Sequence, residues 1–286
     1  MREIIQRAGG YIRENGTPLQ KACLDFLEEK GTKDDIVKAL SPYQNEDGGW
    51  ANGLEIEYPG LVSSPYTTAV ALSLIHKFSL SEHGLLLDTL DYLKSTQLEN
   101  GMWDDTPQML QFPHPPYMGP GVYTEYKTGM ILKGLLRLNV HQTAMIDRAI
   151  TYMADSFEEI SKRNDFWSAV AYSGAFSFLT HHPKYPQIME WSMRLLMPEG
   201  AGFGWQQAMG MIEDDIPIPE TVQSLTLELI QKHQEPDGGW PHLFGTYNRV
   251  WSAIYIVRFL LKKIFNVLKE GQFLAGRRRS VATGYF

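Results

Sequence analysis

Apolar residues along the chain recur at about 3.6 residues per turn, with no sustained alternation of apolar and polar positions. The pattern predicts helices throughout and places the fold in the all-α class. A first helical stretch ends at Asn15 and breaks at Gly16. Thr17 and Pro18, a cap residue followed by proline at the first helical position, then restart the chain. This second helix is expected to reach about Glu29, and a short third one to run from Lys33 to about Pro42. Ser64 and Pro65 open the next helix. Ser81 is expected to cap the one after it, which carries Leu85, Leu86, Leu90 and Leu93 and ends at Gln97. Prolines in the loop after Trp103 forbid regular helix there. Helices are then expected over 122–138, 143–161, 165–179, 184–197, 221–233 and 250–268, with AGFGWQQ around Trp205 read as a turn and IEDDIPIP as a loop.

Three of the interruptions share one frame, Gln-x3-Gly-x-Trp. The copies are Gln44, Gly48 and Trp50; Gln97, Gly101 and Trp103; and Gln234, Gly238 and Trp240. A fixed spacing of amide, glycine and large aromatic marks a supersecondary unit used several times. The interval between the second and third copies is more than twice that between the first and second, which leaves room for degenerate units around Trp167 and Trp205. About five to six helical hairpins are implied, few enough to close on themselves, and a closed array needs no polar end caps. Residues 1–275 are therefore read as one domain and 276–286 as a loose polar tail. Each frame falls where a helix ends. The glutamine amide is expected to satisfy the last carbonyls of that helix, the glycine to take a positive φ, and the tryptophan to cover the junction. That role is structural stitching.

Composition narrows the function classes. The chain is 43% apolar and 12% aromatic, enough for a sizeable core, and its net charge of −7 argues against a phosphate-backbone binder, so no nucleic-acid partner is expected. The single cysteine, Cys23, sits at an apolar helical position and reads as a buried thiol. The N-terminal stretch carries scattered charges and lacks the apolar run of an export signal. Residues 250–265 are too short and too charged to span a bilayer, so a cytoplasmic protein is expected.

At YLKSTQLENGMW and LIQKHQEPDGGW the chain resembles the α/α-toroid family of squalene and hopene cyclases, oxidosqualene cyclases and protein prenyltransferase β subunits, whose QW repeats have this form. YQNEDGGW with its following SSPYTTAVAL resembles the small bacterial single-domain members of that family. The resemblance implies an α/α toroid with a central cavity. It also implies a search for the family's chemistry. Class II cyclases protonate an alkene with the middle Asp of Asp-x-Asp-Asp-Thr-Ala. The nearest segment here, Ile212 to Pro217, lacks the first Asp and the Thr-Ala, and only one helix separates it from Gln234. Asp214 is therefore expected at the end of the ring opposite the QW turns, as a helix-entry or surface carboxylate. A class I Asp-Asp-x-x-Asp cluster fails after Asp104 and Asp105. The zinc site of the prenyltransferases has no counterpart, because Cys23 stands far from any matching pattern, so no zinc site is expected.

The loops that follow each QW tryptophan are expected to meet at one mouth. They bring Glu55, Glu57, Asp104 and Asp105 as candidate catalytic acids. Tyr58, His114, Tyr117, Tyr123, Glu125, His242, Tyr247 and Arg249 are candidate binding residues, with Trp167 and Trp251 as cavity-lining aromatics. Three expectations follow. An isoprenoid ligand or substrate calls for an aromatic wall; a carbohydrate, which toroid lyases and glycosidases act on, calls for a wet acidic groove. A non-catalytic scaffold calls for a ring packed solid.

Overall fold

A computed structural model describes residues 1–286 apart from Ile56, His83, Gln142, Asn164, 198–203, Pro217, 242–247 and 265–286. The described residues are all-α. In chain order the helices are α1 (Arg2–Asn15), α2 (Pro18–Leu27), α3 (Lys33–Leu40), α4 (Pro65–Lys77), α5 (Leu85–Thr96), α6 (Thr124–Arg137), α7 (Ala144–Ile160), α8 (Phe166–Phe176), α9 (Tyr185–Leu196), α10 (Trp205–Glu213) and α11 (Glu220–His233), followed by a helix over 248–264, here α12. None of the described helices is long and apolar enough to cross a membrane. His242, Tyr247 and the 276–286 tail lie outside the described residues.

Caps follow the local sequence closely. Thr17 and Thr32 each close a capping box, and the Ser64 hydroxyl accepts from the backbone of Tyr66 and Thr67. Two expectations are corrected. Ser81 does not cap α5; Gly84, with φ of 80°, precedes it, because the chain must turn sharply before Leu85. Trp205 does not sit in a turn but opens α10, which carries Ile212 and Glu213 as helical residues.

Burial separates two kinds of helix. In α4, α6, α8 and α12 buried residues occur on every side, whereas α1, α3, α7 and α9 bury one stripe and leave the other face in solvent. Two apolar cores result. One is built by α5 to α9 and the other by α1 to α3 with α12 and Ile230 of α11, and α4, α5 and α10 contribute to both.

The Gln/Gly/Trp frames join the half-exposed helices. Gln44 Nε2 donates to the Gly48 carbonyl of its own turn (3.1 Å) and to the Leu85 carbonyl of α5 (3.1 Å). Gln97 does the same with Gly101 and with Met145 of α7, both at 2.9 Å, and Gln234 with Gly238 and with Ile4 of α1, both at 3.0 Å. The amide therefore serves the first turn of a helix beyond its neighbour in the chain, α5, α7 or α1, whereas the last turn of its own helix had been expected. The three glycines have φ of 83°, 91° and 93°, and a Cβ on any of them would overlap the backbone of Asp88, Arg148 or Arg7. The tryptophans are fully buried, and their indole N–H groups donate to Thr89 Oγ1, the Leu93 carbonyl and the Ile230 carbonyl. The third frame ties residue 234 back to residue 4, so the two ends of the helical array are held together.

Candidate functional site

Between the two cores lies a cavity of about 310 Å3. Five helices wall it: α4 with Tyr66, Val70 and Ser73, α6 with Tyr126 and Met130, α8 with Trp167, α10 with Glu213, and α12 with Asn248, Trp251 and Tyr255. Asp214, just after α10, completes the floor, and loop residues Leu54, Glu55, Tyr117 and Tyr123 complete the wall. The spacing explains why these side chains converge. Residues three or four apart share a helix face, so Tyr66, Val70 and Ser73 form one stripe, and Tyr126 with Met130 and Trp251 with Tyr255 form two more.

The aromatic residues interlock. Tyr66 lies 5.9 Å from Tyr126 and 6.3 Å from Tyr117, Tyr126 meets Trp167 edge-on at 6.3 Å, and Trp251 stacks on Tyr255 at 5.6 Å. Burial pushes the Tyr66 and Tyr126 hydroxyls well above the usual phenol range, so both stay neutral, and the two share a hydrogen bond.

At the floor, α10 ends in three consecutive acids with different environments. Glu213 is raised to about 7, chiefly by burial; Ser252, whose hydroxyl lies 2.7 Å from Oε1, works in the opposite direction. Asp214 pairs with the buried Lys133 ammonium, while Arg137 donates to the carbonyls of Asp214 (2.6 Å) and Asp215 (3.1 Å). Asp215, at φ of 51°, turns away from the cavity to Arg258 (2.6 Å) and Lys77 (3.5 Å). Burial alone would raise Asp215, but these two cations outweigh it and hold the carboxyl below the usual range. Lys77 in turn is lowered to about 8 by burial. Its ammonium donates to Ser73 Oγ (2.6 Å) and lies 5.0 Å over the Tyr255 ring.

The candidates named from the sequence divide. Glu55, Tyr117, Tyr123, Trp167, Asp214 and Trp251 line the cavity. Asp104 and Asp105 do not. Asp105 accepts from Ser64 Oγ (2.7 Å), the Gly119 amide (2.9 Å) and Lys127 (2.9 Å), and Asp104 accepts from the Gly121 amide and Lys127, both at 2.6 Å. As candidate catalytic acids they are corrected: they pin the loop after Trp103. Tyr58 is also off the cavity, fully buried with its hydroxyl donating to the Val62 carbonyl (2.9 Å). Its neighbour Glu57 is half-buried and raised by that burial, and it does not line the cavity. His114 contacts the Phe112 carbonyl, Glu125 is buried beside Arg163 (3.3 Å), and Arg249 is spent on the Trp240 carbonyl, Glu235 and Asp237.

Asp214 needs the opposite correction. It is buried, not a surface carboxylate, and it follows α10 rather than entering a helix. The first residue of α10, Trp205, donates its indole N–H to the Pro241 carbonyl beside the third turn (3.2 Å), and Asp214 follows the other end of that helix. A position at the far end of α10 still lines the cavity, because the cavity runs along the helices from the loops to that end. Glu213 was missed because its segment was read as a loop. Tyr66, Tyr126 and Tyr255 lie on stripes of helices buried all round rather than in the loops after the tryptophans, so a loop-based reading does not reach them.

Among the described residues no group of three or more His, Cys, Asp or Glu side chains could hold a metal ion. No family model matches the sequence, and no curated protein matches it.

Proposed function

We propose that this chain is a closed α/α toroid whose central cavity binds a small, largely apolar molecule of isoprenoid type, with Glu213 as the group that exchanges a proton with it. The bond from Gln234 to Ile4 supports closure of the ring, since the last frame uses the first helix as its partner in the way the other two use α5 and α7. The observation that carries the functional reading is the pairing of an aromatic wall with one protonatable carboxyl. Among the described residues, seven Tyr or Trp side chains surround a floor in which Glu213 stands near neutrality. A group poised there gives or takes a proton at neutral pH, as general acid–base work requires. An acid at about 7 is too weak to force a proton onto an isolated alkene. Proton exchange with a heteroatom of the ligand is the chemistry that fits.

A cavity of about 310 Å3 is at the small end of ligand pockets, roughly 300–1,000 Å3, and its presence argues against a scaffold whose interior is packed solid. One observation favours a second reading. Trp251 and Tyr255, stacked with an interplanar angle of 18°, make a flat platform of the kind on which sugar rings lie, with Glu55 and Glu213 as the acids of a carbohydrate-active site.

A thermal-shift screen separates the two. Isoprenoid alcohols are expected to raise the melting temperature, and a cavity-filling Met130→Trp variant to abolish the rise. Uronate oligosaccharides acting in their place would move the assignment to the second reading. No shift with either class would overturn both.

A further inference from the structure

The geometry points to a ligand that carries a positive charge: an organic ammonium on an apolar body, seated in the central cavity with the ammonium beside Glu213 and Asp214. This rests on the reading of the cavity as a ligand site and names the chemical class that the site selects.

The charges on the described wall are of one sign. Among the described lining residues three are carboxylates, Glu55, Glu213 and Asp214, and none is Lys, Arg or His. The cations that balance the acids stand behind the lining. Lys133 reaches Asp214 from beneath and lies 3.0 Å from the Met130 sulfur, and Lys77 is screened from the space by Ser73 and Tyr255. A ligand in the cavity therefore meets carboxylate oxygens and aromatic rings before it meets any cation. An anionic head group, a diphosphate included, would face those carboxylates with no cationic partner among the described lining residues.

The rings add to the same preference. A Tyr or Trp ring is negative over its face and attracts a cation placed there, more strongly when water is excluded. Lys77 already occupies the Tyr255 ring from outside, at 5.0 Å, so the rings left for the ligand's charge are Tyr126, Trp167 and Trp251. Tyr126 and Trp167 meet edge to face, so the rings around the space lie in different planes, as a cage for a bulky cation requires. A buried carboxyl that burial holds partly protonated also gains most from a cation, because charge pairs interact more strongly out of water.

Isothermal titration of the full chain with three probes that share one tail tests this: decyltrimethylammonium, 1-decanol and decanoate, each below its micellar concentration. The ammonium is expected to bind at least about tenfold tighter than the alcohol, and decanoate to bind weakest. Glu213→Gln should narrow the ratio of ammonium to alcohol severalfold. Because the chain carries a net charge of −7, attraction to the surface must be separated from binding inside. The preference should persist between about 0.05 and 0.5 M NaCl, since a buried pair is little screened, and should vanish in Met130→Trp. Should that variant fail to fold, Val70→Phe narrows the same space from α4.

Equal binding of ammonium and alcohol overturns the charge assignment and leaves the cavity as an apolar site. An ammonium preference that disappears in salt, or survives filling of the cavity in a folded variant, overturns it as a surface effect. Failure of all three probes overturns both this inference and the reading of the cavity on which it rests.

Discussion

Two pairs of neighbouring acids occupy different positions in this molecule, and only one of them borders empty space. Asp104 and Asp105 follow the second QW turn, and all four of their carboxylate oxygens accept a hydrogen bond, from Lys127, Ser64 or the backbone of residues 105, 119 and 121. Glu213 and Asp214 end α10 at the cavity floor, with Lys133 and Ser252 against them and the cavity on their other side. Adjacent acids are not in themselves a signal of chemistry. The first pair is an ionic knot that shapes a proline-rich loop, and the second is exposed to whatever the cavity holds. The comparison teaches that donors per oxygen and access to a cavity, rather than acid spacing, distinguish a structural carboxylate from one available for work.

Lys127 provides the most forceful way to break that contrast. Its side chain is 1% exposed, and its ammonium donates to Asp104, Asp105 and the Gly119 carbonyl. Lys127→Met leaves two carboxylates without their shared cation, and removing one partner of a buried ion pair costs about 3–5 kcal/mol. Urea denaturation should show a loss of that size. At temperatures where the variant remains folded, ligand affinity at the cavity should be unchanged. A variant that stays stable but loses binding would place the Asp104–Asp105 knot in the site after all.

The second test addresses the floor itself. The free-chain value for Glu213 is 4.5 and the folded value is about 7, raised chiefly by burial. Because the folded value is the higher one, the folded state holds the proton more tightly. Stability from this group is fully present below pH 4.5 and is lost as pH rises through 7. Glu213→Gln removes the titration. The stability of the parent chain minus that of the variant should therefore fall by up to about 3 kcal/mol from pH 4.5 to above 7 and then level off. His76, lowered to about 4 chiefly by burial, contributes in the opposite direction between 4 and 6.5, but it is common to both proteins and cancels in the difference. A difference that is flat with pH would show that Glu213 ionises normally in the fold and would remove the proton donor from the proposed function.

Helix ends and the stitching turns were legible in the sequence because their signals are local. Thr17-Pro18 and Ser64-Pro65 do as caps what their side chains permit, and the Gln-x3-Gly-x-Trp frame repeats without loss in three places. The cavity was less legible because it is assembled from helices remote in the chain. Tyr66, Tyr126 and Trp251 share no motif, and a polar or aromatic residue within a helix buried all round gives no sign of whether it faces a core or a space. The two candidates that failed most clearly, Asp104 and Asp105, were chosen for their loop, and the donor that commits them, Lys127, lies a full turn into α6, where a lysine reads as a solvent-facing residue. Glu213 was hidden by the glycines and prolines on either side of α10, which disguise a nine-residue helix as a loop.

The smallest predicted effect concerns the direction of one hydrogen bond. Ser252 Oγ lies 2.7 Å from Glu213 Oε1, and a hydroxyl can donate to a carboxylate or accept from a carboxylic acid. If it donates, it favours the charged form, and Ser252→Ala should move the Glu213 midpoint further above 7; a hydrogen bond to a charged group is worth about 1.5–3 kcal/mol, or roughly one to two pH units. If the protonated Glu213 donates to Ser252 instead, the same substitution removes a partner of the neutral form, and the midpoint should fall. Titration of the Glu213 carboxyl carbon by NMR distinguishes the two, and a Ser252→Thr variant, which keeps the hydroxyl, should restore the parent midpoint in either case. We expect the upward shift, because the Ser252 hydroxyl acts against the burial that raises Glu213 and so favours its ionised form. That outcome would sharpen the contrast between the two acid pairs: Asp104 and Asp105 have a donor for every oxygen and an ammonium between them, whereas Glu213 borders the cavity with the Ser252 hydroxyl against it and is raised toward neutrality by burial.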